Sequence, residues 1–160
     1  MLMTSKDRVL QRERDRGRSD ALDLAGRASS MDGTAIIAEE SKIPMFVPGA
    51  DYSKCVAGSP IAEIVDGELQ VFTMITPVNT AHYPGITPNT ERSLFSLCHT
   101  KDPKRAKAWV APLGTSGLYS KDECCTDPNY EDPTQVFVSK VDNNAYSPSQ
   151  YMANWTLYTP

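Results

Sequence analysis

Apolar residues fall into two regimes along the chain. Over residues 4–31 they are sparse and widely spaced: Met3, Leu10, Gly17, Leu24 and Met31 recur every seven residues. That period places them on one stripe of a helix able to face a partner helix. The intervening positions Asp7, Arg14, Ala21 and Ala28 make the stripe thin. Thr4 with Asp7 three residues on is a helix-start signal. Two readings stay open, a solvated helix and a packing helix that ties copies together. A helix with so few apolar contacts is marginal alone in water. MDGTAIIAEESKIP (31–44) reads as a joint, with Asp32-Gly33 a turn signal, TAIIAEE a short helix and Pro44 its stop.

From Ile43 the texture becomes β. IAEIV and LQVFTMI flank Asp66-Gly67 and predict a hairpin. In the second run Leu69, Val71, Thr73 and Ile75 alternate with Gln70, Phe72, Met74 and Thr76, so both faces are partly apolar. A long polar loop follows, TPVNTAHYPGITPNTERS, closed by LFSLC. The remainder repeats this order: Phe46 overlays Trp109, Val71-Phe72-Thr73 overlays Val136-Phe137-Val138, Asn79 lies near Asn143, and Leu94-Phe95 near Asn154-Trp155. The period is about 62 residues, which predicts two tandem modules. The fold class expected is mainly β: an N-terminal helix and linker (1–42), a first small antiparallel module (43–98), a linker (99–107) and a second small module (108–160).

Charge sharpens this division. Residues 1–30 hold seven Lys/Arg against five Asp/Glu, while 31–160 hold nine against fifteen. An acidic body argues against binding to phosphate backbones, so no nucleic-acid partner is expected. No apolar run approaches the roughly 20 residues of a membrane span, so no membrane partner is expected. The first residues are charged where a secretion leader is apolar, so retention in the cytosol or export by assembly or lysis is expected. Cys55, Cys98, Cys124 and Cys125 are then expected mostly as free thiols, with a pairing of Cys98 or Cys55 formed after release as the alternative.

The pattern Trp109, Tyr119, Val136-Phe137, Pro148, Trp155 resembles the small chitin-binding type 3 domain of carbohydrate-binding module families 5 and 12. Phe46, Tyr52, Val71-Phe72, Pro88 and Phe95 form a degenerate copy. HTKDPKRAKAWVAPLGTSGLYSKDECC also resembles tandem-module proteins encoded among structural genes of tailed bacteriophages. The resemblance spans about 43–160 and implies a compact antiparallel β-fold that binds polysaccharide without catalysis. Phe46 and Phe95 stand where that family shows Trp, and TDPNYEDPT (126–134) replaces a tight Gly turn.

These expectations set a site list. Trp109 and Trp155 either pack as the core of the second module or offer sugar platforms. Tyr119, Tyr146 and Tyr83 are the candidate exposed rings for stacking on a pyranose. Met3, Leu10, Leu24 and Met31 are the candidate oligomerisation contacts. His82, Cys98 and His99 lack the paired short spacings of a zinc site, and no cofactor is expected. A Cys-His catalytic pair needs an activated thiolate beside a base, and with two loop histidines none is expected. Glu39-Glu40 and Glu131-Asp132 read as solvated surface rather than a glycosidase pair, and GTSG (114–117) lacks the Lys of a phosphate loop.

The function expected is a non-enzymatic virion structural protein, in a tail, a fibre or an accessory of the capsid. It would join other virion proteins, form a homo-oligomer (a trimer by analogy) and contact a host cell-surface polysaccharide. The first competing reading is a head-decoration, connector or tail protein that binds no sugar. The second is a chitin-binding module of a polysaccharide-degrading system.

Overall fold

The computed structural model describes residues 3–160. Helix α1 (Ser5–Arg27) starts on Thr4, whose Oγ1 accepts from the Asp7 N–H at 3.1 Å while Asp7 Oδ2 accepts from the Thr4 N–H at 2.9 Å. This reciprocal cap satisfies two donors that a helix start otherwise leaves open. Residues 3–19 are exposed, so the first part of α1 extends clear of the body. Its last turns bury Leu24, and Ala28, which caps its end, is buried as well. A short helix α2 (Gly33–Ala38) follows, with the Asp32 carboxylate accepting from the Ala35 N–H at 2.8 Å. Asp32 therefore starts a helix, not merely a turn. Arg27 clamps the two helices by pairing with Asp23 and Glu39, each at 2.9 Å, and Glu39 also takes Lys42 at 2.7 Å.

The first sheet is β1 (Pro60–Val65), β2 (Glu68–Met74) and β3 (Phe95–Leu97), antiparallel in the order β1-β2-β3. Asp66 and Gly67 both take positive φ, 51° and 85°, which is the backbone a two-residue hairpin of this hand requires. Both faces of the sheet are covered. Ala62 and Val71, paired across β1 and β2, pack with Leu24, Ile36 and Ile37 of the helices. Ile61 and Phe72, also paired, face the other way onto Val65, Met74, Phe95 and Leu97. The two apolar faces of LQVFTMI thus have two different partners.

The second sheet is β4 (Lys107–Ala108), β5 (Cys124–Thr126), β6 (Val136–Ser139) and β7 (Trp155–Leu157) in that order. Its core is Tyr119, Cys125, Phe137 and Trp155. The two sheets follow one plan. Met45 pairs with Ala62 in parallel and the Phe46 N–H donates to Ala62 O; Ala108 pairs with Thr126 in parallel and the Trp109 N–H donates to Thr126 O. Ala62 then faces Val71 as Thr126 faces Val136, and Met74 faces Phe95 as Ser139 faces Trp155. Gly58 (φ 90°) and Asp122 (φ 72°) turn the chain at equivalent points.

Three expectations need correcting. The chain is mixed α/β rather than mainly β, about 28% helix against 23% strand, because strands of two to seven residues leave most of each module to turns. The modules are not purely antiparallel: each begins with a parallel tie. A long loop before the first hairpin strand brings the entering chain alongside it in the same direction, which only such a crossover permits. Finally, Leu24 is fully buried inside the chain and Met31 packs on the same cluster, so neither is free as an oligomer contact; Met3 and Leu10 remain exposed.

Residues 99–107 are a packed connection. Thr100 bridges Cys124, the His99 ring stacks on Tyr119 at 3.6 Å, and Lys107 pairs with Glu40.

Candidate functional site

The five aromatic candidates separate by burial. Tyr119 and Trp155 are 1% and 2% exposed and meet edge to face at 5.3 Å. The Trp155 indole N–H donates to Tyr146 O at 2.9 Å, leaving it nothing to offer a ligand. Both are core and neither is a sugar platform. Tyr83 and Tyr146 are exposed, the latter 6.1 Å from Tyr151. Trp109 is half-buried and lies in a different setting.

Trp109 lines a cleft of about 500 Å³ between the two modules. One wall comes from the first module: Val65, Gln70 and the Asn89–Arg92 turn. The other comes from Ala108, Trp109 and Val110, which lead into the second. Gln70 joins the walls, its Nε2 donating to Ala108 O at 2.8 Å, and Val110 packs on the core of the first module. The Asn89 turn is fixed because Glu63 accepts the Asn89 N–H at 2.8 Å. Asp66 and Glu68 stand exposed among the lining residues. The cleft therefore combines a ring, amides, a guanidinium and carboxylates. Of Trp109, Tyr119, Tyr146, Trp155 and Tyr83, it gathers only Trp109. Gln70, Asn89 and Arg92 were not legible as site residues, since each sits in ordinary polar sequence whose partner lies far along the chain.

The thiols and histidines do not form a reactive centre. Burial pushes Cys98 up to about 12 and Cys124 up to about 11, and raises Cys125 further. Such groups stay protonated thiols at neutral pH, the opposite of an activated nucleophile. All four cysteines are free, with Cys55 exposed. Burial also lowers His99 to about 4, so it is neutral, and its Nε2–H donates to Gly117 O at 3.1 Å. His82 is exposed. Among the described residues no group of three His, Cys, Asp or Glu is placed to hold a metal ion. Glu39 and Glu40 are held by Arg27, Lys42 and Lys107, and Asp132 accepts from the Thr134 N–H at 3.0 Å. Among the described residues no helix is long and apolar enough to cross a membrane.

Comparison with protein-family models, curated proteins and solved structures finds no match.

Proposed function

We propose that this chain is a non-catalytic structural component of a bacteriophage virion, in a tail, a fibre or a capsid-associated accessory, whose β-body holds host-surface glycan in the cleft between its modules. Met3 and the exposed part of α1 that carries Leu10 attach the body to other virion proteins or to its own copies, with a trimer as the favoured state. The virion setting follows from the resemblance of 43–160 to phage-encoded tandem modules. The sugar reading follows from one observation: Trp109 faces a cleft that also presents the side chains of Asn89 and Arg92. An aromatic ring covers the C–H face of a pyranose while amides and guanidinium meet its hydroxyls, the mostly apolar lining with a few fixed polar groups that small ligands require. Single sugar contacts are weak, and several copies on a particle multiply them.

A pull-down of the full chain on insoluble polysaccharides and cell envelopes tests this. Retention by the native chain and at least a tenfold loss for Trp109→Ala, with an unchanged circular dichroism spectrum, is the expected result. No retention on any polysaccharide sinks the sugar reading. Mass spectrometry of purified particles tests the virion placement.

A second reading, a purely structural assembly protein, is favoured by the burial of Tyr119 and Trp155, which makes these two rings of the second module core alone. Under it, Trp109→Ala alters particle assembly and leaves host adsorption unchanged.

A further inference from the structure

The exposed stretch 3–19 carries six Lys/Arg against three Asp/Glu, while 31–160 carries nine against fifteen. Among the described residues the one ion pair in that stretch is Arg16 with Glu13, so Lys6, Arg8, Arg12, Arg14 and Arg18 stand without a counter-charge. Lys6, Leu10 and Arg14 follow one another at four-residue spacing in α1 and share a face, an apolar side chain between two cations. All three are exposed. A helical arm held by so little is marginal in water.

The cleft between the modules has the complementary make-up. Val65, Trp109, Val110 and Leu113 give it an apolar lining, and Leu113 is 49% exposed. Asp66 and Glu68 stand exposed in the lining, neither in an ion pair among the described residues. The lining has one cation, Arg92, and it is buried. The arm cannot reach the cleft of its own chain. Leu24 fixes the end of α1 on the Ala62–Val71 face of the first sheet, and α1 is one continuous helix, so its free half keeps the direction that this end sets. Val65 belongs to the opposite face, that of Phe72, and Gln70, two residues from Phe72 along β2, lies there too. The anchored end of the arm and the cleft are thus on opposite faces of one sheet.

We infer that the cleft receives the basic arm of a second copy of this chain, with Leu10 against the apolar lining and Lys6 and Arg14 paired with Asp66 and Glu68. This rests on the attachment reading above and gives the arm its receptor. Arm and cleft are different surfaces, so the contact runs head to tail, and copies add until rotation closes a ring. A trimer is a ring of three such contacts. The arm and a glycan exclude one another: copies joined in this way are closed to sugar, and a bound sugar releases the arm.

Sedimentation velocity of the full chain up to millimolar concentration, at about 0.15 M and about 1 M salt, tests this. Self-association is expected, at least tenfold weaker at the higher salt. Two double variants follow, each with circular dichroism to show that it is folded. Asp66→Asn with Glu68→Gln removes the cleft's charges and keeps at position 66 a residue that tolerates its φ of 51°. Lys6→Glu with Arg14→Glu reverses the arm's. Each alone should weaken association at least tenfold. An equimolar mixture of the two should form a heterodimer and nothing larger, because only the arm of the first and the cleft of the second remain intact. A cleft variant that associates like the native chain, or a mixture without heterodimer, overturns the inference and leaves attachment through α1 standing. A native chain that stays monomeric at millimolar concentration overturns the inference and attachment to its own copies with it.

Discussion

His99 stands where the two modules meet, stacked on Tyr119 at 3.6 Å with its Nε2–H on Gly117 O. Burial lowers its pKa to about 4 from an unfolded value of 6.5. Between those values the unfolded chain binds the proton that the folded chain refuses. Stability is therefore complete above pH 6.5 and falls as pH drops toward 4, by at most about 3 kcal/mol. Urea unfolding from pH 7.5 to 4.5 should show this loss, and His99→Gln should flatten it. Parallel pH profiles for the two proteins would remove His99 from the account. Glu39 acts lower: its partners Arg27 and Lys42 hold it at about 2, so what it adds is present above about 4.5 and fades only below. At the same scale, burial is what sorted the rings. From sequence Tyr119 reads as an exposed ring and Trp155 as either core or platform, and nothing there says that the two meet, because their edge-to-face contact joins segments 36 residues apart.

At the level of elements, α1 has two halves with different duties. Leu24 locks its end against Ile36, Ile37 and Val71, while residues 3–19 touch little of the body. Leu24→Ala should cost about 2–5 kcal/mol of global stability. Leu10→Ala should leave the unfolding midpoint of the isolated chain within about 0.5 kcal/mol. Chemical denaturation of both variants checks this, and equal costs would contradict it. The seven-residue stripe predicted the helix and its cap correctly because those signals are local. It could not reveal that the stripe's lower half folds back onto the chain, since the covering residues arrive from β1 and β2. The hairpin at Asp66-Gly67 was legible for the same local reason. The parallel ties at Met45 and Ala108 were not, because a lone parallel bridge has no sequence period of its own.

Across the whole molecule, one β-plan occurs twice, and the copies are joined by contact as well as by chain. Gln70 reaches Ala108, Val110 enters the first module's core, and Arg92 lies beneath Gly117. Thermal unfolding should accordingly be one cooperative transition, with calorimetric and van't Hoff enthalpies equal. Two resolved transitions would mean that the modules are independent. The two small β-sheets were readable from the spacing of aromatics and β-runs. The cleft was not, because it exists only where the copies abut, and Arg92 in TPNTERS carries no local mark of burial.

The most direct measurement is an experimental structure of the full chain with the tightest-binding oligosaccharide. The account predicts a sugar ring on Trp109 in the cleft between the two modules. Sugar density on Tyr83 or on the Tyr146–Tyr151 pair, with the cleft empty, would contradict it.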